Sequence, residues 1–330
     1  MQNILNRNLI NPDIGFVEFG QGKPKDRDYI FSRINKIKQL LVKNGVQRGD
    51  FVHVYVMSPN VDAVSSFIAI AELGCLTHCV DNAVWHHKDS DGKETGRMYF
   101  EDRKQALYDM VHPSMPPERP EFRLSDMLTP IGDKGLVKGD LFAGAGNKFH
   151  YARGVADKDV HYIDFRDIGD MPDEDIQPWD VSDDDPFYIV GYGAGHVNYN
   201  VTQKQVVEKA KDCIDIFGYE GKKVAMTKAM SHFFGFENAI LPCLMVARKF
   251  FELPVMQQSR VVTNQKVGER EMSARDISLN MIVRNGCNLV WGIDDDDIKN
   301  IEDREGFENI SIIRHEGNDY DDFEKRPTCL

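Results

Sequence analysis

The sequence has no apolar run long enough to span a bilayer. The longest, Ala239 to Ala247, is nine residues and contains Pro242, whereas a span needs about 20. The opening MQNILNRNLINPDIG carries no apolar stretch after its charge, so no signal peptide is expected and cytoplasmic synthesis is. None of the six cysteines (Cys75, Cys79, Cys213, Cys243, Cys287, Cys329) forms a Cys-x-x-Cys pair; most sit in apolar periodic segments, which reads as reduced core thiols. Positive charge is scarce: 40 Lys and Arg stand against 53 Asp and Glu, a net charge of −13. A surface tracking a nucleic-acid backbone is therefore not expected. Gly-x-Ser-x-Gly and Cys–His–Asn signatures are missing, and no catalytic residue is assigned. Low-complexity tracts and internal repeats are absent too. What is there, 42% hydrophobic and 28% charged over 330 residues, is the composition of a folded chain with room for a sizeable core.

Apolar periodicity divides the chain in three. In residues 1–82, Ile30, Ile34, Ile37 and Leu41 alternate steps of four and three before Asn44-Gly45, which predicts an amphipathic helix over 27–44. FVHVYVM (51–57), a Ser58-Pro59-Asn60 turn, a helix over Val61 to Leu73 closed by Gly74, and CLTHCV (75–80) follow as one βαβ unit of a parallel sheet. Residues 83–185 lose the pattern and read as an irregular insertion suited to partner contacts. In residues 186–330 it returns: PFYIVGYG as a strand entering a glycine-rich turn, then a helix with Val206, Ala210, Cys213 and Phe217 on one face, then KVAM (223–226). A helix around Phe236 to Val246, a strand at FFEL, a Ser273-capped helix, NLVWG (288–292), a helix opened by Asp294 to Asp297, and NISIIRHEG (309–317) complete it. Alternating strands and helices predict an α/β fold of layered, mostly parallel sheets flanked by helices.

Two stretches resemble the large N-terminal domain of the adenylate-forming superfamily, the acyl-CoA synthetases, luciferases and peptide-synthetase adenylation domains. KNGVQRGDFVHVYVMSPNVDAVSSFIAIAELGCLTHCVDN (43–82) is similar to the family's early helix–turn–strand segment. YIVGYGAGHVNYNVTQ (188–203) matches the register of its phosphate-binding loop, Ser-Gly-Thr-Thr-Gly-x-Pro-Lys-Gly-Val-x-x-Thr-His. His232 and Gly235 then occupy the family's His-x-x-Gly turn, and CNLVWGIDDDDIKNI with ENISIIRHEG is similar to its strand, pocket-lining helix and glycine-ended strand. The cofactor-binding positions implied by the resemblance are Gly191, Gly193, Gly195, Thr202 and His232, in vestigial form.

In that register Val190 replaces Ser, Tyr192 and Gly193 the two Thr, Ala194 a Gly, Val197 the Lys and Gln203 the His; Gly191 and Thr202 are kept. ATP phosphates need donors and positive charge there, and Val197 offers neither. A backbone anion site at GYGAG, at a helix start, remains open. The family's aromatic-Gly-x-Thr-Glu motif does not occur in NDYDDFEKRPTCL after Gly317.

Elsewhere bland readings are favoured. Cys75, His78, Cys79, His86 and His87 have conceivable zinc spacing, but 75–80 reads as a strand whose alternate side chains diverge. DSDG (89–92) places its Gly too early for a calcium loop, and DDDD (294–297) suits a solvated helix start. No metal and no cofactor are expected.

The reading that results is a catalytically inactive adenylate-forming-like protein, not an enzyme, serving as a structural component of a multi-subunit assembly, such as the tail or baseplate of a phage virion. Its partners are proteins, without nucleic acid or membrane, with weak small-molecule binding in a vestigial acyl or ATP cleft. The alternative is a divergent acyl-adenylating, fatty acid–CoA ligase-like enzyme completed by a partner chain. A third is a sensor that keeps the acyl pocket near His232 to Met245 and Trp291.

Overall fold

A computed structural model describes residues 4–18, 22–56, 60–81, 87–88, 94–95, 141–144, 161–177, 180–190, 199–227, 235–253, 265–267, 270–272, 274–293, 301, 305–314 and 328–329. In chain order the strands are β1 (Gly15–Val17), β2 (Phe51–Val56), β3 (Leu76–Asp81), β4 (His87–Lys88), β5 (Glu94–Thr95), β6 (Leu141–Gly144), β7 (His161–Asp164), β8 (Pro186–Val190), β9 (Tyr199–Thr202), β10 (Lys223–Met226), β11 (Lys249–Glu252), β12 (Gln265–Val267), β13 (Arg270–Met272), β14 (Leu289–Ile293), β15 (Ser311–Arg314) and β16 (Thr328–Cys329). The α-helices are α1 (Arg27–Lys43), α2 (Val61–Glu72), α3 (Gln203–Phe217), α4 (Leu241–Val246) and α5 (Ala274–Arg284).

The chain divides into two compact units, one of Met1–Ile34, Ser58–Ile68 and Lys204–Leu330, the other of Asn35–Met57 and Ala69–Gln203. The first holds a sheet of order β1-β11-β10-β14-β15-β16. Its first five strands run parallel, and β16 returns antiparallel along β15. Phe16, Phe250, Val224 and Leu289 lie in register across β1, β11, β10 and β14. A core of Ala225, Phe251, Leu279, Ile282, Val290 and Ile312 forms between this sheet and α5. Parallel strands bonded on both sides need apolar side chains on both faces, and β14 is buried at all five positions.

The second unit repeats the plan with order β7-β6-β2-β3-β8-β9, five parallel strands and β9 antiparallel at the edge. Two of its strands, β6 and β7, lie within 83–185, where patterning alone gives no regular element. Leu141-Phe142-Ala143-Gly144 has too little alternation to register as a strand, yet it pairs with β2 and β7 on both sides.

The helices end where the chain provides the chemistry. Asp26 Oδ1 accepts the Tyr29 amide at 2.9 Å to start α1, and Gly45, at φ 84°, stops it. Asn60 Oδ1 accepts the Ala63 amide at 2.9 Å to start α2, and Gly74, at φ 61°, stops it. A side chain at Gly74 would also meet Arg48 Cγ at 3.1 Å.

One core position of α1 is a lysine. Lys38 lies four residues after Ile34 and three before Leu41, is 0% exposed, and donates to Glu72 Oε2 at 2.9 Å and to Asp175 Oδ1 at 3.1 Å. Asn35 and Gln39 hold the same 173–175 segment through Asp173 Oδ1 and the Glu174 carbonyl. The acidic stretch before β8 is thus laid along α1 in the second unit.

Candidate functional site

In an open parallel sheet, ligands bind outside the carboxyl ends of the strands where successive connections leave in opposite directions. In the first unit that point falls between β10 and β14: the chain passes from β10 to β11 on one side and from β14 to β15 on the other. The Thr227 amide donates to the Trp291 carbonyl at 3.1 Å and the Thr227 hydroxyl to the same oxygen at 3.2 Å. Both strand ends are thereby pinned together at a buried position. Immediately beyond, the register between β14 and β15 shifts between Trp291 and Ile293, and Gly292 sits at φ 88°. This is a bulge that only glycine accommodates without strain, and such bulges recur beside active sites. Neither Thr227 nor Gly292 stands out in the sequence; a glycine inside an otherwise apolar strand is the available signal.

In the second unit the glycine-rich segment joins β8 to β9, which pair antiparallel from Pro186 opposite Thr202 to Val190 opposite Tyr199. This corrects the expectation that the loop runs straight into a helix: β9 intervenes, and α3 begins only at Gln203. The start of this helix, with its aligned dipole, thus lies at the Pro186–Thr202 end of the strand pair, away from the Val190–Tyr199 end. The base of the hairpin is fixed. The Gln203 amide donates to the Asp185 carbonyl at 3.0 Å, and Gln203 Nε2 donates to the Ala71 carbonyl at 3.0 Å. Asp185 accepts from Arg48 at 2.9 Å and from the Ser182 amide at 3.1 Å. Burial pushes the Asp185 carboxyl up, but the Ser182 amide, Arg48 and the Ser182 hydroxyl together hold it below its ordinary value.

Of the site positions expected from the sequence, Thr202 is described: it closes β9, half-buried, directly before α3. Gly191, Gly193, Gly195 and His232 lie outside the described residues, as do Val197, Asp294 to Asp297, the DSDG segment and His86. Among the described residues no three His, Cys, Asp or Glu side chains are grouped to hold a metal ion, and no helix is long and apolar enough to cross a membrane.

Cys75, Cys213, Cys243 and Cys287 are buried and in no disulfide. Burial pushes the Cys75 and Cys287 thiols up to about 12 and Cys243 well above its ordinary value. Since the thiolate is the reactive form, these thiols should resist iodoacetamide at pH 8 and become alkylated on addition of denaturant. Peptide mass mapping reads the outcome; rapid labelling of Cys243 in the native protein would contradict its placement.

No protein-family profile matches the chain, and no curated protein matches its sequence. Solved structures match its fold. ATP-bound MatB from Rhodopseudomonas palustris superposes with a TM-score of 0.61 at 12% identity, over 96% of this chain and 60% of that one. The anthranilate CoA ligase AuaEII in complex with anthranoyl-AMP gives 0.58 at 14%, over 88% and 48%. The adenylation domain of a keto acid-selecting NRPS module bound to keto acyl adenylate gives 0.58 at 12%, over 85% and 44%. The chain thus spans about half of the proteins it matches. These neighbours correct the expectation that the protein is not an enzyme: they include a CoA ligase and an adenylation domain holding acyl adenylates, and a protein holding ATP. The chain has the fold of the large N-terminal domain of adenylate-forming enzymes.

Proposed function

We propose that the protein is a divergent acyl-adenylating enzyme that acts on ATP and a carboxylic acid and is completed by a partner chain. The observation that carries this is the superposition of nearly the whole chain on an ATP-bound structure. A substrate carboxylate oxygen would attack the α-phosphorus of ATP. The bond from that phosphorus to the bridging oxygen of the β-phosphate breaks, pyrophosphate leaves, and an acyl-AMP forms. Thr227, Trp291 and the Gly292 bulge, at the carboxyl ends of β10 and β14, mark the end of the first sheet where the acyl group is assigned. In the register of the resembled phosphate-binding loop Val197 lacks the charge that offsets ATP's phosphates, so the partner's part is to provide cationic and hydrogen-bonding groups.

A non-reactive acyl-sulfamoyl adenosine tests this reading through thermal denaturation. A saturable rise in melting temperature with the acyl-AMP mimic, larger than with ATP or the free acid alone, is expected, because ligand bound only by the folded state stabilises it. No shift with any mimic across short, long and aromatic acyl groups, with the co-purifying partner present, would overturn it.

A further inference from the structure

Two neighbouring strands of the first unit begin on a pair of cations. Lys222-Lys223 leads into β10 and Arg248-Lys249 into β11, and the parallel register sets Lys223 beside Lys249. Register partners on neighbouring strands lie about 4.8 Å apart and successive residues about 3.3 Å, so four cationic side chains leave one small patch of backbone. That patch is fixed. The Arg248 and Lys249 amides both donate to the Lys222 carbonyl, at 2.9 and 3.2 Å, and the Gly15 amide donates to the Arg248 carbonyl at 3.1 Å. It lies at the amino ends of the strands, the opposite end of this sheet from Thr227 and Gly292.

Among the described residues none of the four forms an ion pair, in a chain with 53 acids and a net charge of −13. Asp13 and Glu220, in the turns before β1 and β10, are exposed and pair with none of them. Helix ends offset part of the charge: α3 closes at Phe217 and α4 at Val246, and Lys223 Nζ donates to the Asn285 carbonyl, just past α5, at 3.3 Å. A helix C-terminus is equivalent to about half a negative charge, so these three offset fewer than two of the four cations. Like charges side by side on neighbouring strands are destabilising, and here Arg248 is exposed and the other three are half-buried.

We infer that this patch is a binding site for a compact, multiply charged oxyanion, the di- or triphosphate chain of a small molecule. Phosphate oxygens a few ångströms apart match cations rooted that closely, whereas an extended acidic peptide sets the carboxylates of one side about 6–7 Å apart. A long polyanion such as DNA would also meet the rest of a chain carrying −13, which repels it. The site is distinct from the end of the sheet assigned to the acyl group and does not depend on the proposed adenylation.

The test is calorimetric titration of the full chain with tripolyphosphate at about 150 mM ionic strength, where long-range charge effects are screened. Wild type should bind it saturably, at least tenfold more tightly than inorganic phosphate, which spans fewer cations. Lys222→Gln/Arg248→Gln, at positions just outside β10 and β11, should weaken binding about tenfold or more, as expected for loss of charge-assisted hydrogen bonds. Lys36→Gln/Lys43→Gln removes the same charge from α1 in the second unit and should leave binding unchanged. Without ligand, Lys222→Gln/Arg248→Gln should melt no lower than wild type, because it relieves repulsion. Absence of saturable binding by wild type would overturn the inference. So would equal weakening in both double variants, since net charge alone would then be the cause. Hexa-aspartate binding as tightly as tripolyphosphate would overturn the ligand class. If Lys222→Gln/Arg248→Gln binds like wild type and melts several degrees lower, the cations only cap helix ends and the inference is wrong.

Discussion

Lys38→Met should destabilise the protein by about 3–5 kcal/mol, the usual cost of removing one member of a buried ion pair. Lys38 and Glu72 are 0% and 1% exposed, with Nζ and Oε2 2.9 Å apart. Methionine fills nearly the same volume, so little of the loss comes from a cavity; it comes from a carboxylate kept in low dielectric without its cation. Asp175, 38% exposed at its side chain, can turn to water and should contribute little. Urea denaturation of the single variant and of Lys38→Met/Glu72→Leu separates the terms. The double variant should regain most of the loss, since apolar replacements of a buried pair are often neutral. Equal losses in both variants would mean that packing, not charge, is what Lys38 provides.

Phe250→Ala is expected to cost a similar amount, about 3–5 kcal/mol, for a different reason. Phe250 is 0% exposed on β11, between β1 and β10. Its ring lies 4.9 Å from that of Phe16 at an interplanar angle of 43°. Truncation removes the buried area and the tilted aromatic contact, which adds about 0.5–1.5 kcal/mol to such pairs. It also leaves a hole that β11, fixed by hydrogen bonds to β1 on one side and β10 on the other, cannot close. Phe250→Leu should recover at least half of the loss. The denaturation midpoint measures it, with an unchanged urea slope showing that the unfolded state is not what moved.

What is legible in the sequence is whatever packing repeats. The i, i+3, i+4 spacing of Ile30, Ile34, Ile37 and Leu41 gives α1 to within a residue, and KVAM gives β10. The α/β class follows from their alternation. Lys38 escapes such a reading because the same spacing places it on the buried face, and periodicity counts only apolar residues. The clue is an acidic partner at the end of a neighbouring apolar helix, Glu72. β6 is hidden by its small residues. β9, with Tyr199, Val201 and Thr202, has the residues of a strand, but it lies inside a segment that reads as one loop. Phe236 to Val246 reads as one helix, yet Phe236–Ile240 is a π turn: Pro242 has no amide for the Asn238 carbonyl, and the Tyr219 hydroxyl that donates to that carbonyl comes from outside the helix. The bulge at Gly292 and the pinning by Thr227 depend on which strands become neighbours, and topology is not carried by any local pattern.

Exchange of labelled pyrophosphate into ATP, dependent on an added carboxylic acid, tests the central claim most directly, because it reports the reversible formation of an acyl-adenylate and nothing else. With the native protein, purified together with any chain that binds it, at least one acid from a panel of short, long-chain, keto and aromatic acids should drive exchange above the acid-free rate. If no acid does so, while the protein remains folded, the chain has the fold of an adenylate-forming enzyme without the reaction, and the proposed function is wrong.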